Sequence, residues 1–250
     1  MDIERIKASL PQPLNIRGFE TIDSTNRYAK AWAIEGAPNG ATVISSQQTA
    51  GRGRLGRSFY SPQGGLYMST VLRAGQTAPG LITTLAAVCV LRAVESQLGL
   101  SLQIKWVNDL LLSGRKVCGI LAEGMVTPKG ELVTVLGIGI NTAPADFPDD
   151  IAGKAGSLYT QQPIDREALA AGILSELMAG LPRLPEHLDA YRAHCLTLGR
   201  QVRYTQGDQT GEGLAIAIDD QGALIIDTAD GPLRLIAGEA SLRGADGSYI

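Results

Sequence analysis

The sequence has 250 residues, a length that suits one large domain or one domain followed by a smaller one. Its residues are 44% apolar and 19% charged, which is typical of a globular protein with a sizeable core and excludes a disordered chain. A net charge of −3 argues against a protein built to coat nucleic acid. No apolar run approaches the ~20 residues that a transmembrane helix needs, so no membrane partner is expected.

The N-terminus and the cysteines both indicate a cytoplasmic protein. The opening stretch MDIERIKASLPQPL is charged and contains two prolines, so we do not expect a signal peptide. Cys89, Cys118 and Cys195 are odd in number, far apart in the chain and not in CxxC spacing. We therefore expect reduced cysteines that serve as small hydrophobic residues.

The first part of the chain, residues 1–195, alternates segments typical of helices and strands. The segment after Ser24 has apolar positions at helical spacing and stops at Gly36. A second segment, 79–99, is apolar nearly all round, which predicts a buried central helix. The other predicted elements are helices at 165–180 and 186–195 and strands at 41–48, 64–73, 102–112, 116–125 and 131–141.

The last part of the chain, residues 196–250, has a different texture. Four apolar stretches, RQVRYT, GEGLAIAID, GALIIDT and PLRLIAGEASLR, are separated by QGDQT, DDQG and ADG, which are typical of turns. This pattern predicts a small antiparallel barrel or sandwich. A unit of about 50 residues is only marginally stable alone, so we expect it to dock on the first part.

The stretch GRGRLGR, residues 51–57, is the most unusual local composition in the chain. Its glycines disfavour both helix and strand and allow a backbone to approach a ligand closely. Its arginines can donate paired hydrogen bonds to a carboxylate or a phosphate. The pattern is neither GxGxxG nor a Walker A sequence. A solvated basic loop is the alternative interpretation.

The segment KWVNDLLLSGRKVCGIL, residues 105–121, predicts a hairpin with its turn at 113–114. That turn places Leu111 opposite Lys116, so Asp109 lies diagonally across from Lys116 on the same face. Lys105, four residues earlier on the predicted strand, points to that face as well. Two lysines and a carboxylate suit a metal-bound phosphate chain. A salt-bridged hairpin facing solvent is the alternative.

Two further features have more than one interpretation. The glycines of GIGIN, residues 137–141, indicate that a ligand or another backbone passes close to the strand, and Asn141 could bind that ligand. Close packing against the buried helix is the alternative. His187 and His194 could share one face of a helix, but without a third ligand nearby we expect partly exposed helix residues and no metal site.

Taken together and in this order, six segments resemble biotin protein ligase, also called biotin–[acetyl-CoA-carboxylase] ligase. They are DSTN at 23–26, QQTAGRGRLGR at 47–57, SPQGGLYMS at 61–69, KWVNDLLLSGRKVCGIL at 105–121, GIGIN at 137–141 and GEASLR at 238–243. The resemblance covers about residues 20–250, and the arginine loop followed by KWxND and RKxxGIL is highly specific. It implies an α+β fold of the class II synthetase-like type, a mixed sheet with helices on one face, and a small SH3-like C-terminal barrel.

The resemblance also implies the reaction. An enzyme of this kind makes biotinyl-5′-AMP from biotin and ATP with Mg²⁺ and passes the biotin to one lysine of a biotin carboxyl carrier protein. We expect a monomer or a homodimer. Bifunctional members carry a DNA-binding domain before the DSTN segment, whereas about 22 residues precede that segment here, so we expect the monofunctional type and no DNA partner.

Site residues carry over from the resemblance position by position. The implied biotin contacts are Ser24, Thr25, Asn26, Gln48, Arg52, Gly53, Arg54 and Lys116. The implied nucleotide-side positions are Arg57, Phe59, Lys105, Asn108, Asp109, Asn141 and Arg243. Glycines at 51, 119, 137 and 139 (Gly51, Gly119, Gly137 and Gly139) complete the binding set. Lys116, Arg52 and Arg54 would neutralise charge during catalysis, and Asp109 would hold magnesium-bound phosphates or orient a lysine.

Two positions depart from the family pattern, and two other functions stay open. Val107 stands where a proline is common, which restores a backbone N–H, and Phe59 stands where a tryptophan is usual. Lipoate or octanoate ligases and transferases share the implied fold, although the arginine loop with KWxND favours biotin. A biotin-binding regulator without catalysis would be expected to lack Lys116 or the arginine loop, and both are present.

Overall fold

The structure is a computed structural model that describes residues 1–73, 75, 79–158, 162–236 and 239–242. The helices are α1 (Ile3–Ala8), α2 (Thr25–Ile34), α3 (Pro79–Leu98), α4 (Asp149–Ala152), α5 (Arg166–Gly180) and α6 (Leu188–His194). The strands are β1 (Ile16–Ile22), β2 (Thr42–Gln48), β3 (Leu66–Leu72), β4 (Gln103–Lys105), β5 (Asp109–Leu112), β6 (Arg115–Val126), β7 (Leu132–Ile140), β8 (Gln201–Gln206), β9 (Gln209–Ile218), β10 (Leu224–Thr228), β11 (Gly231–Leu235) and β12 (Glu239–Leu242).

The strands form two sheets. The larger sheet has seven strands in the order β1-β2-β3-β7-β6-β5-β4. The β1–β2 pair is parallel and the other pairs are antiparallel, so the sheet is mixed, as predicted. The smaller sheet has five strands in the order β11-β10-β9-β8-β12, all antiparallel.

Helices cover both faces of the larger sheet, so the expectation of helices on one face is wrong. Met68 of β3 and Ile138 of β7 belong to the core cluster that contains α3 and α5. Val71 and Val135 of the same two strands belong to a second cluster that contains Trp32 of α2. All seven residues of β3 are buried, and a strand that is apolar on both faces needs cover on both.

Helix α3 is the central helix of the first core cluster. Its residues from Leu81 to Val94 are buried except Arg92, which agrees with the prediction from its apolar composition. By length and composition it could cross a membrane, so the statement that no apolar run approaches that length was wrong for this segment. In this fold 72% of its apolar window is buried inside the protein.

The elements that differ from prediction are short or interrupted. Helix α1 and strand β1 were not predicted, because β1 exposes most of its residues and lacks an apolar stripe. The predicted strand 102–112 is interrupted at 106–108, where the chain reverses between β4 and β5. The last predicted strand, from Pro232 onward, is divided between β11 and β12.

The smaller sheet packs against the larger unit. Its residues Val202, Ala215 and Leu224 belong to the same core cluster as α3. Trp106 Nε1 also donates a hydrogen bond to the carbonyl oxygen of Gly222 at 3.0 Å. We keep the division of the chain into residues 1–195 and 196–250 as a proposal.

Candidate functional site

A cavity of about 130 Å³ lies between the start of α2, the arginine loop and strands β5 to β7. Many of the predicted site residues line it: Ser24, Thr25, Asn26, Gln48, Arg52, Gly53, Arg54, Arg57, Phe59, Asn108, Asp109, Lys116, Gly119, Gly137 and Gly139. Four residues that were not predicted also line it: Ser58, Ile120, Leu121 and Ile138. The cavity therefore brings together segments more than 100 residues apart in the sequence.

Three predicted residues that the structure describes are not on the cavity lining. A Cβ atom on the first of them, Gly51, would collide with Phe59 and Ser61. Lys105 ends β4, beside Asp109 in the β-ladder. Asn141 follows directly after β7, and its side-chain amide donates to the carbonyl oxygen of Gly156 at 2.8 Å. The predicted residue Arg243 lies outside the described residues.

The DSTN segment places three buried polar residues at the N-terminus of α2. Ser24 caps the helix, and its hydroxyl accepts a hydrogen bond from the backbone N–H of Arg27 at 3.4 Å. The backbone N–H and hydroxyl of Thr25 both donate to Gln48 Oε1, at 2.9 and 3.0 Å. Gln48 Nε2 in turn donates to Ser61 Oγ at 2.9 Å. These contacts fix which end of the Gln48 amide faces α2.

Asn26 continues this polar network across the sheet. Its Oδ1 lies 2.5 Å from the hydroxyl of Ser69, which is also 2.7 Å from Thr25 Oγ1. Its Nδ2 donates to Glu123 Oε2 at 2.9 Å. Two residues of this network were not among the predicted site residues: Ser69, although it ends the SPQGGLYMS segment, and Glu123, which lies outside every quoted segment. Hydrogen bonds with Asn26 of α2 connect both to the site.

The arginine loop folds as a closed hairpin beside the cavity. The N–H of Phe59 donates to Gly51 O at 2.9 Å, and the N–H of Gly53 donates to Arg57 O at 2.8 Å. Arg54 Nη1 donates to Asn108 Oδ1 at 3.1 Å, which connects the loop to the segment before β5. Leu55 adopts a positive φ of 54° at the tip and is 72% exposed. The loop thus has arginines directed to the cavity and an apolar tip in solvent.

Glycines of β6 and β7 make room for the side chains that line the cavity. A Cβ atom on Gly119 or on Gly139 would lie 2.8 or 2.6 Å from the ring of Phe59. A Cβ atom on Gly137 would collide with the amide of Asn26. The GIGIN glycines therefore face the cavity, and the alternative that they pack against the buried helix is wrong.

The turn of the β5–β6 hairpin forms as predicted, and a register shift between Leu110 and Leu111, which was not predicted, then places Asp109 opposite Gly119. Ser113 and Gly114 both have positive φ, 51° and 77°, as a two-residue turn of this kind requires. Leu111 pairs with Lys116 across the ladder. Lys116 Nζ lies 2.7 Å from Asp109 Oδ1, with both side chains partly buried. The ammonium group also lies 5.7 Å from the centre of the Phe59 ring.

Lys105 reaches this face by a different route from the one predicted. Lys105 and Asp109 do not share a continuous strand, because the chain turns back on itself at 106–108. Lys105 instead pairs directly with Asp109 across the antiparallel β4–β5 ladder. Directly opposed residues of such a ladder point to the same side of the sheet.

The turn between β4 and β5 is held by hydrogen bonds from outside its own strands. The N–H of Trp106 donates to Thr197 Oγ1 at 2.9 Å, and the hydroxyl of Tyr191 donates to Val107 O at 3.0 Å. Asn108 Nδ2 donates to Ile120 O at 3.0 Å. The segment that supplies Asn108 and Asp109 to the cavity is therefore fixed by α6, by β6 and by the start of the C-terminal part.

The two histidines differ in burial: His187 is buried, whereas His194 is partly exposed, as expected. His187 is 5% exposed and its Nε2 lies 2.7 Å from Thr84 Oγ1, so the expectation that it is partly exposed is wrong. Burial, with the charges of Arg92 and Arg192, lowers the pKa of His187 to about 4. Among the described residues no group of three or more His, Cys, Asp or Glu side chains could hold a metal ion.

The cysteines behave as predicted. All three are buried and free of disulfides. Burial raises the pKa of the Cys89, Cys118 and Cys195 thiols. They are therefore protonated, weakly polar core residues at neutral pH.

Comparison with known sequences shows which proteins this chain resembles. Residues 18–141 match the profile described as the biotin/lipoate A/B protein ligase family, and residues 197–243 match the biotin protein ligase C-terminal domain. The bifunctional ligase/repressor BirA of Bacillus subtilis is 33% identical over an alignment of 240 residues, and the match covers 89% of this chain and 72% of that protein. The biotin–[acetyl-CoA-carboxylase] ligase of Mycobacterium tuberculosis is 34% identical over an alignment of 232 residues, and the match covers 86% of this chain and 84% of that one.

Solved structures give the same result. The biotin protein ligase from Aquifex aeolicus in complex with biotin and ATP superimposes with a TM-score of 0.80 at 28% identity. The match covers 92% of this chain and 99% of that one.

Proposed function

The chain belongs to the biotin/lipoate A/B protein ligase family, and on that premise we propose that the cavity described above binds biotin and ATP. The enzyme activates biotin with ATP to biotinyl-5′-AMP and transfers the biotin to a lysine of a biotin carboxyl carrier protein. The observation that supports this most strongly is the composition of the cavity. It combines buried amides and hydroxyls at the start of α2 with cationic side chains from the arginine loop and β6.

We assign the polar end of the cavity to the ring system of biotin. The ureido group of biotin presents one carbonyl oxygen and two N–H groups, so it needs both donors and acceptors from the protein. Thr25, Asn26 and Gln48 supply both kinds of group on one wall. Ser24 lies beside them, at a helix N-terminus whose N–H groups favour a partial negative charge.

The cationic end suits the first chemical step. A carboxylate oxygen of biotin attacks the α-phosphorus of ATP, the bond from that phosphorus to the α–β bridging oxygen breaks, and pyrophosphate leaves. The step brings two anions together, so positive groups that act most strongly at the transition state accelerate it. We assign this role to Arg52, Arg54 and Lys116. Asp109 orients the Lys116 ammonium, 2.7 Å away.

The second step needs a dry cavity. The neutral amine of the carrier lysine attacks the carboxyl carbon of biotinyl-5′-AMP, AMP leaves with the anhydride oxygen, and the amine loses a proton to solvent. Water competes for the same anhydride, so exclusion of water protects the intermediate. We propose that the arginine loop acts as the lid that excludes it.

Magnesium enters this scheme as part of the nucleotide substrate. Asp109 is the one carboxylate on the cavity lining within the described residues. Mg²⁺ is commonly held by one or two carboxylates together with substrate phosphates, so this set of groups fits Mg·ATP and does not fit a resident metal ion. We propose Arg57, Phe59 and Asn108 as nucleotide contacts on the lining, and Lys105, Asn141 and Arg243 as further nucleotide-side residues.

The carrier, the location and the assembly are part of the proposal. We propose a carboxylase subunit as the acceptor, a cytoplasmic location, which the three free cysteines support, and a monomer or homodimer. Pyrophosphate release tests the function. We expect release with biotin and Mg·ATP and much less with lipoate or octanoate in place of biotin. Release with lipoate but not biotin would assign the chain to the lipoate branch of the family, and tight biotin binding without release would indicate a regulator.

A further inference from the structure

Glu123 lies on β6, two residues beyond the last motif residue at the cavity, and both of its carboxylate oxygens are engaged. Oε2 accepts a hydrogen bond from Asn26 Nδ2 at 2.9 Å, and Oε1 accepts one from Lys30 Nζ at 2.6 Å. The side chain is three-quarters buried, with 25% of its surface exposed. It therefore contacts a cavity residue on one side and a lysine of the same helix on the other.

The carboxylate of Glu123 is ionised and acts only as an acceptor. Burial alone would raise its pKa, but the hydrogen bonds from Lys30 and Asn26, with the charges of Lys30 and Arg52, outweigh burial and lower the pKa. An acceptor at this position requires a donor from Asn26. The amide must therefore turn its Nδ2 toward Glu123.

The other end of the Asn26 amide then has a fixed partner. With Nδ2 on Glu123, Oδ1 faces Ser69 and accepts its hydroxyl, at 2.5 Å. Ser69 shares its one hydroxyl proton between Asn26 Oδ1 and Thr25 Oγ1, 2.7 Å away. Were the amide reversed, Ser69 would have to accept from Nδ2, and its proton would be directed to Thr25 Oγ1 alone. The orientation of one amide thus sets the donors and acceptors on the wall formed by Asn26, Ser69 and Thr25.

Space does not restrict the amide in any other way. The absence of a side chain at Gly137 allows Asn26 to lie directly on the backbone of β7. The two ends of an asparagine amide are nearly equal in shape, so packing alone cannot distinguish them. The hydrogen-bond partners therefore decide the orientation of the Asn26 amide, and the partner that fixes it is the Glu123 carboxylate.

On the basis of the biotin-binding function proposed above, we propose that Glu123 is a positioning residue that determines biotin affinity. It holds the Asn26 amide in one orientation and so presents a single pattern of donors and acceptors to the ureido ring. Lys30 supports it by holding the second carboxylate oxygen. Neither Glu123 nor Lys30 lines the 130 Å³ cavity, and Glu123 lines the neighbouring pocket under the arginine loop. Its hydrogen bond with Asn26 is the contact by which it acts on the wall that we assign to biotin.

The test uses Glu123→Gln, which keeps the shape and leaves one acceptor for two donors. The ammonium of Lys30 takes that acceptor because a charged donor forms the stronger bond. The new amide N–H₂ then faces Asn26 and reverses its amide. We expect the Kd and KM for biotin to rise about tenfold, while kcat at saturating biotin and the KM for ATP change by less than about twofold.

A double variant separates positioning from a merely structural contact. In Glu123→Gln with Lys30→Met, the single acceptor is available to Asn26 again, so biotin affinity should return to within about threefold of wild type. A merely structural role predicts the opposite, because removal of a second contact would weaken binding further. Glu131→Gln is the matched control. Glu131 lies on the β6–β7 hairpin, as Glu123 does, but it pairs with Arg73 and is not on the cavity lining.

The Kd for biotin should be measured by calorimetric titration for all of these proteins, and so should their melting temperatures. Wild-type affinity in Glu123→Gln, or a double variant weaker than Glu123→Gln, would overturn the role of Glu123 while leaving the ligase function intact. Failure of the wild-type protein to bind biotin would overturn the proposed function itself. The two failures are thus distinguishable in one set of experiments.

Discussion

Replacement of Lys116 by methionine is the most direct perturbation of the proposed chemistry. Methionine keeps much of the unbranched apolar stem beside the Phe59 ring and removes only the charge. The variant loses the ion pair with Asp109 and the cation that we place on the reacting carboxylate and α-phosphate. It should therefore separate the chemical role of Lys116 from its packing.

The expected effects on rate and on stability differ in size. A charge-assisted contact made in the transition state is worth roughly 2–4 kcal/mol, which corresponds to about 10²–10³ in the rate of adenylate formation. The ion pair itself is partly exposed, with 35% of Lys116 and 24% of Asp109 accessible, so its loss should cost no more than about 1 kcal/mol of unfolding free energy. The fold should survive a change that nearly abolishes the first step.

Pyrophosphate release and thermal unfolding measure these two quantities. Lys129→Met is the matched control, because Lys129 is exposed at the distant tip of the β6–β7 hairpin. We expect both variants to melt within a few degrees of the wild-type protein, and only Lys116→Met to lose most of its rate of pyrophosphate release. Near-normal pyrophosphate release by Lys116→Met would refute its assignment as the charge-neutralising group.

Four other predictions follow from particular contacts. Gly139→Ala should displace the Phe59 ring and cost about 1–3 kcal/mol of unfolding free energy or a comparable loss of ATP affinity, whereas Gly124→Ala, with open space around its Cβ position, should do neither. Burial lowers the pKa of His187 to about 4 from its ordinary 6.5, so unfolding takes up a proton as pH falls below 6.5. The free energy of unfolding should therefore decline by up to about 3 kcal/mol between pH 6.5 and 4. In urea titrations, His187→Gln should flatten that part of the pH profile. Trypsin should cut early at the arginines of the loop at 51–57 in the ligand-free protein, and biotin with Mg·ATP should suppress those cuts; a loop that resists equally without ligands is a fixed wall and not a lid. With a net charge of −3, the 250-residue chain should bind DNA no tighter than about 10⁻⁴–10⁻⁶ M at physiological salt, and nanomolar sequence-selective binding in an anisotropy titration would contradict this.

Local turn chemistry explains why the hairpin could be predicted in detail. Ser113 and Gly114 both adopt positive φ, so the loop length fixed the pairing of Leu111 with Lys116. The predicted proximity of Asp109 and Lys116 is observed, although a register shift between Leu110 and Leu111 that was not predicted places Asp109 opposite Gly119. The same kind of reasoning located the N-cap at Ser24 and predicted the end of β7 at 141, one residue beyond its observed end at Ile140. In each case the deciding residues are within a few positions of one another.

The errors came from contacts between distant segments. The apolar run 102–112 looks like one strand, but Tyr191, Thr197 and Gly222 bond to its middle residues and hold a turn there. Glu123 carries no sign of its role, because Asn26 and Lys30 are 97 and 93 residues away. His187 was misjudged because its burial depends on Thr84 of α3. Periodicity and turn composition cannot report contacts of this range.

The central claim is that one cavity both activates biotin and delivers it to a protein lysine. Its most direct test is mass spectrometry of a biotin carboxyl carrier domain after incubation with this protein, biotin and Mg·ATP. We predict that the carrier gains a single biotinyl group on one lysine, that a carrier with this lysine changed to arginine gains none, and that lipoate is not transferred. A carrier that stays unmodified, or one that accepts lipoate instead, would contradict the assignment.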